Sequence, residues 1–230
     1  MKKLGILIAT GGYRISKFKE LIKSTIDIFQ RSPKSQRDQI KIYINFNTRY
    51  VEPVNTQILN HIEKLNTLIE VDISYEHFSG EWYRWYEYLY RKADTEYIYY
   101  LEDDDQLRTD FSFIFKTDCP ADCIIDYFYG LYKHHEDMEP NFNLSEFLLP
   151  FKRNLSHKDL FKIYYKPEIF TYFQLSQIVI RKEIIKHFPT NSNIYNDYIL
   201  FKYNPGNIKY IKQYFFSQGY DGLNISLKRK

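Results

Sequence analysis

The sequence predicts an α/β fold, a central, mostly parallel sheet flanked by helices within a single domain. Three observations carry this expectation. Near-continuous apolar runs, LGILIAT at 4–10, IKIYINFN at 40–47 and EYIYYL at 96–101, suit strands covered on both faces. Between them lie stretches whose apolar residues recur every three or four positions, the spacing of a helix with one buried face. Strand and helix alternate through four strands, and such crossovers make neighbouring strands parallel.

Each element follows in order. After the first run, Gly11 and Gly12 break the strand, and Ser16 is placed to cap a helix carrying Phe18, Leu21, Ile22, Thr25 and Phe29 on one face. SPKSQRDQ reads as a polar connector to the second strand. Pro53 suits the first turn of a helix with Val54, Ile58, Ile62 and Leu65 on its face. LIEVDISYE (68–76) reads as the third strand, and a helix over about 81–93 buries Trp82, Trp85 and Leu89 before the fourth. Beyond Leu107 the alternation fades. CIIDYFYG, QLSQIVI and NIKYIKQYFF read as strands, and RKEIIKHF and NDYILFKY as helices. With no internal repeat and no Gly/Ser linker, 1–107 and 108–230 are expected to be two functional halves of one domain.

Composition narrows the function classes. A chain of 230 residues with 44% hydrophobic and 27% charged residues buries a sizeable core and is not of the disordered class. The 19% aromatic share, with 23 Tyr, fits ligand grooves as well as plain bias. A net charge of +3 does not by itself announce a nucleic-acid protein. The two cysteines, Cys119 and Cys123, do not form a secreted disulfide framework. With His134 and His135 they offer a candidate zinc set whose spacing matches no common pattern. The short apolar run at the N-terminus reads as a strand rather than a leader or anchor, which leads to the expectation of a cytoplasmic protein without membrane insertion.

The chemistry concentrates where the fourth apolar run ends, in Glu102, Asp103, Asp104 and Asp105. Adjacent carboxylates repel one another, and a bound cation relieves that repulsion. In open α/β sheets ligands bind at the carboxyl ends of strands, which is where these acids stand. As hard oxygen donors they suit Mn²⁺ or Mg²⁺, cations that complete their coordination with water and diphosphate oxygens. The alternative is a solvated acidic turn.

The order GILIATGGYRI, helix, IKIYINFN, helix, IEVDISYE, helix, EYIYYLEDDDQL resembles the nucleotide-sugar-dependent glycosyltransferases of the GT-A (Rossmann-like) fold, with LEDDDQL similar to their DxD stretch. The likeness is close over the first half and loose over the second. It implies that Asp103, Asp104 and Asp105 supply a metal ligand and a ribose contact, with Asp104 or Asp105 the direct ligand. It places Thr10, Gly11, Tyr13 and Arg14 at the nucleotide, Arg14 against phosphate. At the end of the second strand the family often carries an acid that touches the nucleotide; here, with NFN, Asn45 or Asn47 serves by hydrogen bonding or the contact is absent. Arg84 either reaches the diphosphate or is a solvated helix charge, and Trp82 and Trp85 are at packing positions. Asp197, in IYNDYILFKY, is the counterpart of the base that deprotonates the acceptor, or else caps its helix. In the tail FFSQGYDGLNIS, Gln218 and Asp221 are the residues available to complete a metal shell.

The expected function is therefore transfer of a sugar from a nucleotide diphosphate sugar, UDP-sugar by default, to an acceptor hydroxyl. The acceptor is a glycan or lipid carrier, or a hydroxymethylated base in DNA; LYKHH, LPFKRNLSHKDLFKIYYKP and LKRK mix basic and aromatic residues as a nucleic-acid groove does. A nucleotidyltransferase is the alternative enzyme, although TGGYRISKFK is poor in glycine for one. A non-catalytic nucleotide- or glycan-binding module is the third reading.

Overall fold

The computed structural model describes residues 1–11, 15–48, 56–78, 82–115, 123–126, 176, 178–184, 208–211 and 215–218. Among these residues the main sheet has seven strands in the order β3-β2-β1-β4-β7-β6-β8. These are β1 (Lys2–Thr10), β2 (Ile40–Asn47), β3 (Glu70–Glu76), β4 (Thr95–Tyr100), β6 (Cys123–Asp126), β7 (Ile178–Arg181) and β8 (Ile208–Ile211). The first four are mutually parallel, as the alternation predicts. β7 runs antiparallel between β4 and β6, and β6 and β8 are parallel to each other. A separate two-stranded sheet pairs β5 (Asp105–Leu107) with β9 (Phe216–Gln218), antiparallel.

Period-two alternation puts Leu4, Ile6 and Ile8 of β1, the even-numbered residues 40–46 of β2, and Tyr97 and Tyr99 of β4 into one buried cluster. Helix α1 (Ile15–Arg31) closes over it with Phe18, Leu21, Ile22, Ile26 and Phe29. Helix α3 (Thr56–Asn66) adds Ile58, Ile62 and Leu65. The opposite face is covered by α4 (Trp82–Lys92), which packs on β1 and β2 and buries Leu89.

Local departures from the sequence reading are small. α1 begins at Ile15, so Ser16 lies inside its first turn instead of preceding it. The connector contains a four-residue helix, α2 (Lys34–Arg37), too short to show a period. β3 starts at Glu70 because the amides of Leu68 and Ile69 bond back to the Leu65 carbonyl and finish the preceding turn. RKEIIKHF opens as a 3-10 turn, Lys182–Ile184. Pro53, Val54 and NDYILFKY lie outside the described residues.

β7 is held beside β4 by charge as well as by its ladder. Arg181 donates to Glu96 at 2.7 Å and to the Tyr97 hydroxyl at 2.7 Å, and Lys3 reaches Glu96 at 2.7 Å.

Close packing in the sheet has a testable consequence at Gly5. A Cβ there would stand 2.6 Å from Thr95 Oγ1, 3.3 Å from Tyr43 Cε2 and 3.4 Å from Thr95 Cγ2. Gly5→Ala is expected to destabilise the fold by about 1–3 kcal/mol in urea unfolding, the cost of overpacking. Thr95→Ala in the same chain removes both threonine atoms and recovers part of that loss, a non-additivity that unrelated sites do not show.

Candidate active site

The site is built where β1, β2 and β4 end. The ladder between β1 and β4 continues one residue beyond β4, since the Leu101 amide donates to the Leu7 carbonyl at 3.0 Å. The chain then turns, and the Asp105 amide donates to the Glu102 carbonyl at 3.1 Å. This curls the four acids into one tight loop. Asp103 and Asp105 are buried, while Glu102 and Asp104 are half-buried. That distribution opposes the solvated-turn reading, because buried charges persist only when paired, hydrogen-bonded or metal-bound.

Two long-range hydrogen bonds fix the buried pair. Thr10, the last residue of β1, donates its hydroxyl to Asp103 Oδ2 at 2.8 Å. Ser176, just before β7, donates to Asp105 Oδ2 at 3.1 Å. Asp105 Oδ1 is buried with no hydrogen-bond partner among the described residues. Burial, then the charges of Glu102 and Asp104, push the Asp105 carboxyl well above the usual carboxylate range, against the opposing pull of Ser176. The Asp105 carboxyl is therefore costly to ionise in this setting.

A divalent cation fits this donor set. The acids are hard oxygen donors, and the buried Asp105 Oδ1 has no hydrogen-bond partner among the described residues, which leaves it open to a cation. No three His, Cys, Asp or Glu side chains converge into a cage among the described residues.

The two asparagines of β2 separate cleanly. Asn47 Nδ2 donates to the Phe78 carbonyl and its Oδ1 accepts from the Phe78 amide, both at 3.1 Å, so its side chain ties β2 to the loop after β3. Asn45 Nδ2 donates to Ser74 Oγ at 3.1 Å, and its Oδ1 is buried with no partner among the described residues. Of the pair left open by the sequence, Asn45 is the one that keeps a buried acceptor with no partner among the described residues.

Helix α4 contributes Tyr86, which the sequence reading passed over. Its ring meets Tyr100 edge-on, with centroids 5.0 Å apart. Burial, followed by the negative charges of Glu102, Asp103 and Asp105, raises its hydroxyl well above the ordinary tyrosine range. Helical arithmetic held the signal, because Tyr86 is four residues after Trp82 and three before Leu89. Ser74 and Ser176 carried no such signal, since their roles depend on strands distant in sequence. Arg84 is an exposed residue of α4.

The tail also reaches the acids. The register of β5 and β9 sets Gln218 directly across from Asp105. Asp221 lies three residues further on, outside the described residues, as do Tyr13, Arg14, Asp197 and the His134 and His135 of the candidate zinc set. Gly11 is buried directly after Thr10. No helix among the described residues is long and apolar enough to cross a membrane.

By sequence, the chain matches no protein-family model and no curated protein. By structure, it is similar to S. aureus TarS 1-349 in complex with UDP-GlcNAc, with a TM-score of 0.64 at 14% identity, covering 97% of this chain and 60% of that one. It is also similar to the mannosyltransferase PcManGT from Pyrobaculum calidifontis in complex with GDP-Man and Mn²⁺, with a TM-score of 0.62 at 9% identity, covering 99% and 59%. The chain thus spans about three fifths of the length of each of these relatives. The fold it shares with them is the GT-A fold of nucleotide-sugar glycosyltransferases, as the order of its elements implied.

Proposed function

We propose that this chain is a glycosyltransferase that moves a sugar from a nucleotide diphosphate sugar to an acceptor hydroxyl. The observation that supports this best is the acid loop at the end of β4. It holds two buried carboxylates, one tied to the end of β1 and the other keeping an unsatisfied oxygen. Mn²⁺ or Mg²⁺ held by Asp104 and Asp105 would neutralise charge on the departing diphosphate. In the transfer, the bond from the anomeric carbon to the diphosphate oxygen breaks and a bond from the acceptor oxygen forms. The acceptor's proton goes to a base, Asp197 if the configuration inverts. Arg14 and the backbone at Gly11 are assigned to the phosphates, and Asp103 to the ribose.

UDP is the favoured nucleotide. A buried carbonyl oxygen such as Asn45 Oδ1 accepts from the ring N–H of uracil or guanine, which adenine and cytosine lack. Asn45→Leu is expected to weaken UDP binding about tenfold or more, since a base N–H is then left unpaired. Its preference for UDP over ADP should shrink as well, measured by competitive binding.

The acceptor is a glycan or lipid carrier, or a hydroxymethylated base in DNA, and parallel acceptor screens separate these. The direct test of the reaction is nucleotide release from a panel of UDP-, GDP- and ADP-sugars. UDP release that requires Mn²⁺ or Mg²⁺ and stops with chelator supports the reading. Pyrophosphate release from a nucleoside triphosphate and a sugar 1-phosphate would indicate a nucleotidyltransferase instead. Absence of both, with metal present, would leave a binding module.

A further inference from the structure

The contact between Thr10 and Asp103 joins two segments 93 residues apart, in a place nearly closed to water. Thr10 ends β1 and pairs with Phe46 of β2, so its backbone is fixed by the sheet. Its branched Cβ restricts the side-chain torsion, and the hydroxyl direction follows from the strand. Asp103 lies beyond the end of β4, in the turn, where no ladder holds it. The threonine is therefore the partner whose place the sheet fixes. A buried carboxylate oxygen needs a donor, and a hydroxyl to a charged acceptor is a strong one.

From this geometry we infer that Thr10 is a positioning residue: its hydroxyl aims the Asp103 carboxylate and so sets the acid loop for its ligand. Thr10 acts through Asp103 instead of touching the nucleotide itself. The inference rests on the transferase reading above, and it revises the part the family likeness gave Thr10.

The test is calorimetry of UDP with Mn²⁺, together with binding of Mn²⁺ alone followed by the loss of its free-ion resonance signal. Thr10→Val keeps the branched shape and removes the donor. It is expected to weaken UDP–Mn²⁺ binding about tenfold, the size seen when partners that orient ligating groups are lost. Thr10→Ser restores affinity to near wild type. In an Asp103→Ala background Thr10→Val has no further effect, because the residue it acts through is gone. A Thr10→Val protein that loses thermal stability but binds as wild type overturns the inference, leaving a structural bond. So does a full tenfold loss that persists in Asp103→Ala, which would mean direct contact with the ligand. In both cases wild-type binding is intact and the transferase reading survives. Wild type that binds neither Mn²⁺ nor UDP removes that reading, and the inference with it.

Discussion

Asp105→Asn is expected to stabilise the metal-free protein while abolishing metal-dependent nucleotide binding. The side chain is fully buried and accepts from Ser176, and its other oxygen has no hydrogen-bond partner among the described residues. Asparagine keeps an acceptor for Ser176 and replaces the orphaned oxygen with an N–H₂ group beside three remaining acids. Relief of an unpaired buried polar group is worth about 1–3 kcal/mol. At about 2–4 °C per kcal/mol for a chain of this size, the melting temperature rises by several degrees.

The pH dependence has a definite sign. Burial and neighbouring acids raise the folded pKa of Asp105 above its ordinary value, so the folded state binds more protons than the unfolded one. Stability of the metal-free wild type then falls as pH rises from the ordinary carboxylate range to the raised value. The advantage of Asp105→Asn widens across that window and is constant above it. Saturating Mn²⁺ reverses the order, stabilising wild type and leaving the variant unchanged. A variant less stable than wild type at neutral pH without metal would show that Asp105 carries no such cost.

Phe215→Ala is expected to give the largest loss of stability. Phe215 precedes β9 and is wholly buried among aromatic rings. It stacks on Phe113 with centroids 5.3 Å apart and meets Tyr99 and Phe111 at 6.1 Å each. Its carbonyl accepts from the Arg108 amide at 2.8 Å. Truncating such a ring costs about 3–5 kcal/mol. The effect reaches the site because the same segment continues into β9, which sets Gln218 across from Asp105. Below its melting temperature, Phe215→Ala should therefore also bind UDP–Mn²⁺ more weakly. Phe215→Leu refills most of the volume and should lose less of both. Chemical denaturation and calorimetry on the same samples check the two effects together. Phe111, in the same cluster, takes a left-handed backbone (φ 59°) that non-glycine residues adopt only at a cost.

How much the sequence disclosed follows from how local each feature is. β2 and the buried face of α1 depend on patterns within one segment, and they were legible residue by residue. The acid run was legible as the end of the fourth strand, where the proposed ligand site lies. What holds it was not. Ser176 reaches Asp105 across 71 positions because β7 runs antiparallel beside β4, and no periodicity encodes that pairing. The choice between Asn45 and Asn47 turned on where the loop after β3 returns, since Phe78 takes up the Asn47 amide. The left-handed turn at Phe111 had no glycine or asparagine to announce it.

The end of β4 is the proposed metal-dependent nucleotide diphosphate site. Calorimetry of UDP with and without Mn²⁺, on wild type and on Asp104→Asn/Asp105→Asn, tests this most directly. The prediction is binding that needs Mn²⁺ in wild type and disappears in a folded double variant. Absence of metal-dependent binding in wild type, or undiminished binding in the double variant, would contradict it.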